Sequence, residues 1–183
     1  GIMALFTKWF NFNDLIEVIK DTAVTSAMIF LVLLGAEFFN SFIALTQITN
    51  QLATFVITNQ LSPYLVVFCI LVLYVFLGCL MDSLAMILLT IPVFFPIIIE
   101  LDFGMSIEEV AIWFGILTLI VVEVGLITPP VGLNVFIINK MAKNVPISDT
   151  FIGVLPFLIS DLIRVGILFI FPGISLFLIR LLG

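Results

Sequence analysis

A short polar segment interrupts a long apolar stretch, and it contains an acidic residue. Residues 64–77 and 84–99 are apolar, whereas Gly78, Asp82 and Ser83 lie between them. An ionisable side chain at membrane depth is costly, and it marks an ion or substrate pathway more often than not. Backbone carbonyls, a carboxylate and a hydroxyl at such a turn are oxygen ligands for a hard cation. We therefore expect a cation or polar-substrate site here, and the alternative is that Asp82 is simply an acidic turn residue.

A second interruption combines two consecutive prolines with flanking glycines, in the segment Gly125-Leu126-Ile127-Thr128-Pro129-Pro130-Val131-Gly132-Leu133-Asn134. Because Pro129 and Pro130 have no amide N–H, the carbonyls of Gly125 and Leu126 lose their helical donors. Those carbonyls and the Thr128 hydroxyl are ligands that suit Na⁺. The N-terminus of the helix that resumes after the prolines favours an anion. A cation and an anion at broken helices are typical of secondary transporters, and the alternative is a proline kink without a site.

The composition restricts the class of protein that can carry these two segments. The chain has 183 residues, of which 63% are apolar and 10% charged, and its mean hydropathy is +1.42. Soluble domains have roughly 45–50% apolar and about 25% charged residues. A soluble enzyme, a nucleic-acid-binding protein and a disordered regulator are therefore excluded, and we expect an all-α, polytopic membrane protein without enzyme activity. With no histidine and two cysteines, neither a transition-metal site nor a disulfide framework is expected.

The first 100 residues are predicted to form three membrane elements. Residues 1–20 predict an amphipathic helix at the cytoplasmic interface. Residues 21–60 predict a transmembrane helix over 22–40, followed by a polar interfacial or buried helix over 41–59. Residues 61–100 contain two apolar arms of about 16 residues, near 24 Å each. Since the hydrocarbon core is roughly 30 Å thick, these arms predict a re-entrant hairpin with its tip inside the membrane.

The remaining residues are predicted to form two transmembrane elements. Residues 101–143 predict a discontinuous transmembrane helix that begins with a capping box of Ser106 and Glu109 and breaks at the two prolines. Residues 144–183 predict a C-terminal transmembrane helix with a kink or break near its own prolines.

Basic residues predict the orientation in the membrane, because Lys and Arg favour the cytoplasmic side and acidic residues have little weight. Lys8 and Lys20 place the N-terminal helix in the cytoplasm, and Lys140 and Lys143 place the turn before the last helix there. The loop over 100–109 has no basic residue, so we expect it outside, together with the C-terminus.

A set of motifs extends over nearly the whole chain: Gly78–Asp82, Met86–Pro96, Trp113–Gly115, Gly125–Asn134, Leu155–Phe157 and Phe171–Pro172. This set resembles the large membrane subunit of TRAP (tripartite ATP-independent periplasmic) transporters. The most specific part is the Thr-Pro-Pro-Val-Gly-Leu-Asn run over 128–134.

The resemblance implies a multi-pass symporter in the bacterial inner membrane that imports an organic acid, such as a C4-dicarboxylate or a sialic acid. It implies Na⁺ as the coupling ion and no other cofactor. The implied partners are a periplasmic binding protein, a small membrane subunit and the remaining half of the large subunit, within the lipid bilayer and without nucleic acid. The family's large subunit has two inverted repeats that move substrate by an elevator mechanism, and this chain resembles the second, C-terminal repeat. We therefore expect either half of a split subunit or a fragment.

We assign the site residues from the two interruptions. Pro129 and Pro130 form the helix break, and Gly132 and Asn134 are the predicted substrate-facing positions. The predicted Na⁺ ligands, chiefly through carbonyls and hydroxyls, are Gly78, Asp82, Ser83, Gly125 and Thr128. Two alternatives stay open, namely a membrane scaffold without transport activity and a different ion-coupled carrier of organic anions.

Overall fold

The computed structural model describes residues 12–142 and 145–182, and all regular elements there are α-helices. The all-α prediction is therefore confirmed for this part of the chain. In order, the helices are α1 (Phe12–Thr46), α2 (Ile48–Thr58), α3 (Pro63–Gly78), α4 (Ser83–Ile99), α5 (Ile107–Ile127), α6 (Leu133–Met141), α7 (Ile147–Ile170) and α8 (Pro172–Leu182).

Three of these helices, α1, α5 and α7, are long and apolar enough to cross a membrane. The 21 residues of α5 correspond to about 31 Å at 1.5 Å per residue, close to the thickness of the hydrocarbon core. The helices confirm the prediction of a polytopic membrane protein. The prediction of cytoplasmic and external sides stays a prediction.

The first helix is longer than predicted. Residues 1–11 lie outside the described residues, and α1 continues without interruption through the predicted boundary after residue 20. No Gly or Pro stands at that boundary, and the hydroxyls of Thr22 and Thr25 donate to the carbonyls of Val18 and Asp21, one turn earlier. The polar residues at this boundary are therefore accommodated within one continuous helix. The next boundary, predicted at residue 41, was also wrong, because α1 ends at Thr46.

Gln47 separates α1 from α2 and has a left-handed conformation, with φ of +54°. The polar helix predicted over 41–59 is thus shorter than expected and begins at Ile48.

The chain divides into two compact units, residues 1–39 and residues 40–183. The described part of the first unit consists of α1, and many of its apolar side chains are exposed; Leu31, for example, is 72% exposed. Exposed apolar side chains of this kind are typical of a helix in contact with lipid. The second unit contains both interruptions.

Within the second unit, α5 lies at the centre and packs against α3, α4, α7 and α8. The side chains of Trp113 and Leu117 on α5 are fully buried, together with Tyr74 on α3 and Met86 on α4. Since α5 combines membrane-spanning length with a buried core face, it fixes the position of the hairpin formed by α3 and α4.

The two predicted arms are confirmed as helices α3 and α4, of 16 and 17 residues. The four residues of the segment 79–82 connect them. Pro92 and Pro96 lie inside α4 without ending it. The position of the tip inside the membrane stays a prediction.

The predicted discontinuous helix is also confirmed, because α5 ends at Ile127 and α6 begins at Leu133. The capping box at its start is present: the Ser106 hydroxyl accepts from the Glu109 amide at 3.2 Å, and the Glu109 carboxylate accepts from the Ser106 amide at 3.1 Å.

The last segment breaks near a proline, as predicted, at Phe171 between α7 and α8. Pro172 has no N–H and leaves the Leu168 carbonyl without its helical donor. The indole N–H of Trp113 donates to that carbonyl at 2.9 Å. The Arg180 guanidinium donates to the Glu109 carboxylate at 2.6 Å and joins α8 to α5.

Candidate functional site

The two interrupted segments meet through a pair of glycines. A Cβ atom built on Gly125 would lie 2.7 Å from the Cα of Gly78, and a Cβ built on Gly78 would lie 2.9 Å from the Cα of Gly125. Real Cβ atoms essentially never have contacts this short. Helices can approach this closely only where both residues lack side chains. The end of α3 and the end of α5 therefore come together at two of the predicted Na⁺ ligands.

Cys79 makes a further connection between the hairpin and the break. Its thiol lies 3.2 Å from the Val75 carbonyl, 3.5 Å from the Thr128 carbonyl and 3.8 Å from the Pro129 carbonyl. Sequence reasoning missed this residue, since a cysteine in an apolar run is most often a small buried side chain. Its position directly after Gly78, inside the interruption, is the signal that could have found it.

Thr128 occupies the end of α5 and forms two local hydrogen bonds. Its hydroxyl donates to the Val124 carbonyl at 2.5 Å, and its amide donates to the Gly125 carbonyl at 3.1 Å. The Gly125 carbonyl thus loses its α-helical donor at Pro129, as predicted, but it is not left free, because the last turn tightens into a 3₁₀-type bond from the Thr128 amide. A carbonyl and a hydroxyl that each take part in one bond still have lone pairs for a cation.

The helix after the break begins beside Thr128. Gly132 is the N-cap residue of α6 and has a φ of +56°. A Cβ at Gly132 would lie 3.1 Å from the Phe151 ring and 3.3 Å from the Thr128 carbonyl. The left-handed backbone and the lack of space both favour glycine. Gly132 is buried and Asn134 is exposed, and a role for either in facing substrate stays a prediction.

Asp82 has a defined structural role at the tip. It is the N-cap residue of α4, and its Oδ2 accepts from the Ala85 amide at 3.1 Å. The cap uses one carboxylate oxygen of an exposed residue. Within the described ranges, no hydrogen bond or ion pair joins Asp82 or Ser83 to the break over 127–132.

The structure thus brings together Gly78, Gly125, Thr128 and Gly132, with Asp82 and Ser83 on the adjoining turn. The arrangement offers neutral oxygen atoms, one nearby carboxylate and the N-terminus of α6. These groups suit a monovalent cation and an anion. Among the described residues, no group of three or more His, Cys, Asp and Glu side chains could hold a metal ion.

Comparisons with known proteins agree on one family. A family model described as "Tripartite ATP-independent periplasmic transporter, DctM component" matches residues 1–174. The chain is 28% identical to the sialic acid TRAP transporter large permease protein SiaM of Vibrio cholerae, over 97% of the chain and 41% of that protein. It is 33% identical to the sialic acid TRAP transporter permease protein SiaT of Haemophilus influenzae, over 93% of the chain and 26% of that protein.

The chain is also 30% identical to the C4-dicarboxylate TRAP transporter large permease protein DctM of Pseudomonas aeruginosa, over 91% of the chain and 38% of that protein. It spans about two fifths of the length of the two large permease proteins, 41% and 38%. No solved structure matches the chain.

Proposed function

The chain belongs to the family of the DctM component of tripartite ATP-independent periplasmic transporters, and we propose that it forms a Na⁺-binding part of such a transporter. The observation that supports this proposal is the contact between Gly78 and Gly125. This contact brings the end of a hairpin arm and the end of a broken helix to one place. The complete transporter would import an organic acid with Na⁺ as the coupling ion.

Na⁺ binding would use oxygen atoms on both sides of this contact. The Thr128 hydroxyl and the carbonyl of Gly125 lie on the broken helix, and the carbonyl of Gly78 and the Ser83 hydroxyl lie on the hairpin. Asp82 would supply the negative charge, since one of its oxygens is not needed for the cap at Ala85. Neutral oxygens with a single carboxylate suit a monovalent ion better than a divalent one, which prefers several carboxylates.

The substrate would be a carboxylate that binds beside the cation. The N-terminus of α6 carries a positive partial charge, and Asn134 lies at its start. Two of the relatives are described as transporters of sialic acid and one as a transporter of C4-dicarboxylate, and both substrates are organic acids. An organic acid is therefore the substrate class that we propose.

The chain would work as one repeat of a larger assembly in the bacterial inner membrane. A periplasmic binding protein would deliver the substrate, and a small membrane subunit and the rest of the large subunit would complete the transporter. In this proposal α3 and α4 form a re-entrant hairpin, and hairpin and broken helix move together in an elevator-like step.

Substitution of Thr128 tests the Na⁺ site. In membrane vesicles that contain the complete transporter, Thr128→Ala should raise the half-saturating Na⁺ concentration about tenfold, because one oxygen ligand of a charged group is lost. Substrate affinity at saturating Na⁺ should change little. Thr118→Ala is the matched control, since Thr118 is a buried threonine on the same helix, away from the break.

If Thr128→Ala and Thr118→Ala have the same half-saturating Na⁺ concentration, Thr128 is not a ligand of the ion. Absence of Na⁺-driven uptake by an intact assembly would favour the scaffold alternative. Uptake that does not require an added binding protein would favour a different ion-coupled carrier.

A further inference from the structure

A polar cavity lies in the unit over 40–183, at a distance from the hairpin tip. It has a volume of about 310 Å³ and is lined by residues from the end of α1, from α2 and from α4, among them Asn40, Gln47, Thr49, Asn50, Pro92 and Pro96. Along α4, Pro92 and Pro96 are about 15 and 21 Å from the Asp82 cap at 1.5 Å per residue. The cavity is therefore separate from the contact between Gly78 and Gly125.

The two prolines of α4 create oxygen acceptors beside this cavity. Pro92 has no N–H for the Leu88 carbonyl, and the Asn40 amide donates to that carbonyl at 3.5 Å. Pro96 has no N–H for the carbonyl of Pro92. The Oδ1 of Asn40 is buried and accepts no hydrogen bond from the described residues. A buried acceptor without a donor is unfavourable unless another species, such as a water molecule or a cation, contacts it.

Two side-chain amides around the cavity each donate one hydrogen bond to a neighbouring acceptor. The Gln47 side-chain amide donates to the Ala44 carbonyl at 2.7 Å, and the Asn50 side-chain amide donates to the Gln47 side-chain oxygen. Asn40 Oδ1 is the buried side-chain oxygen of the described lining that accepts no hydrogen bond, and an oxygen acceptor favours a cation over an anion.

We propose that this cavity binds a partly hydrated monovalent cation, with Asn40 Oδ1 and the Pro92 carbonyl as its main protein ligands. The cavity's volume corresponds to about ten waters at roughly 30 Å³ each, so the ion would keep most of its hydration shell. The lining contains no carboxylate, which disfavours Ca²⁺ and Mg²⁺.

An adjacent cavity gives the cation a route of approach. It has a volume of about 280 Å³, shares Thr49, Asn50 and Pro96 with the first cavity, and is also lined by Glu100. Glu100 is exposed and follows the last residue of α4. Its carboxylate would raise the local concentration of cations at the entrance.

The test measures Na⁺-dependent stability of the full chain, purified in detergent, by thermal unfolding in NaCl and in choline chloride at equal ionic strength. A Thr128→Ala background reduces the contribution of the hairpin tip. In this background, Pro96→Ala supplies an N–H to the Pro92 carbonyl and should raise the half-saturating Na⁺ concentration about tenfold. Asn40→Ala should act in the same direction.

Pro156→Ala is the matched control, because Pro156 is also a helix-interior proline and does not line the cavity. Pro96→Ala removes a residue that disfavours helix, so a loss of Na⁺ dependence would not result from unfolding. The proposal is overturned if Pro96→Ala and Pro156→Ala have the same Na⁺ titration. It is also overturned if Na⁺ stabilises the Thr128→Ala chain no more than choline does. A change of the half-saturating Na⁺ concentration by Thr128→Ala alone concerns the tip site and leaves this conclusion unaffected.

Discussion

Two helix breaks in this chain are caused by proline, and they differ in what replaces the lost hydrogen bonds. At the break before Pro172, the side chain of Trp113 donates to the free Leu168 carbonyl at 2.9 Å. At the break over 127–132, the replacements are local: the Thr128 amide donates to Gly125 and the Thr128 hydroxyl donates to Val124.

The surroundings of the two breaks differ in the same way. The Trp113 ring stacks on Phe169, with centroids 6.0 Å apart and planes at 30°, and it meets Tyr64 and Phe103 edge to face. The other break lies beside Gly78, where backbone contacts backbone. We infer that the break before Pro172 has only a structural role, and we call it the structural joint. The break over 127–132, in contrast, keeps backbone oxygens available for a ligand.

The largest expected effect comes from removing the prolines of the second break. Pro129→Ala with Pro130→Ala supplies two N–H groups that can extend α5, so Na⁺-driven uptake should fall to background. Thermal stability should be equal or higher, because each backbone hydrogen bond gained by the extended helix contributes about 1 kcal/mol. Pro172→Ala should keep most uptake. Uptake and melting temperature measured on the same preparations decide the matter, and normal uptake by the double variant would contradict the assignment.

The next largest effect is expected at the glycine contact. Gly125→Ala places a Cβ 2.7 Å from the Gly78 Cα and should lower the free energy of unfolding by about 1–3 kcal/mol. Gly115→Ala is the control on the same helix, since its Cβ would meet nothing within 4 Å, and it should be neutral or stabilising. Denaturant or thermal unfolding in detergent gives both values. Equal stability of the two variants would show that the helices can separate without cost.

A smaller effect is expected at the structural joint. Trp113→Phe keeps an aromatic ring but removes the N–H that Leu168 requires, which should cost about 1–2 kcal/mol. The half-saturating Na⁺ concentration should not change, because Trp113 lies outside the proposed ion site. If the folded Trp113→Phe variant has a changed half-saturating Na⁺ concentration, the two breaks are coupled, and the conclusion that only one of them serves ion binding is contradicted.

The smallest effect is expected at the exposed ion pairs. Arg180→Ala removes the bond between α8 and α5, so it should lower the melting temperature slightly, and less so at high salt. Arg164→Ala is the comparison, since Arg164 pairs with Asp161 at 2.9 Å within a single helix. It should change the melting temperature even less. A larger decrease in melting temperature for Arg164→Ala than for Arg180→Ala would contradict the conclusion that the ion pair between Arg180 and Glu109 holds α8 against α5.

The sequence predicted features that depend on local signals. The capping box of Ser106 and Glu109 and the interruptions at residues 78–83 and 127–132 each follow from residue types within one or two turns. Helix continuity through residue 20 was missed, because polar side chains near a membrane surface suggested a boundary where no Gly or Pro enforces one.

Contacts between residues distant in the chain could not be predicted. The Trp113 indole and the Leu168 carbonyl are 55 positions apart, and Cys79 and Thr128 are 49 positions apart. A free carbonyl can be inferred from a proline, but the donor that satisfies it depends on which helices pack together. The same limit applies to Asn40 and the prolines of α4.

The native cysteines allow a direct test of a Na⁺ site between tip and break. In a Cys69→Ser chain, Cys79 is the one remaining thiol, and it is 4% exposed between the hairpin and Thr128. Its labelling by N-ethylmaleimide should be about tenfold slower in Na⁺ at ten times the half-saturating concentration than in choline, since a bound ion would stabilise the packed arrangement in which Cys79 is buried. Thr128→Ala should weaken this protection, and the exposed Cys69, in a Cys79→Ser chain, should react equally in both salts. Equal labelling of Cys79 in Na⁺ and in choline would contradict a cation site at this contact.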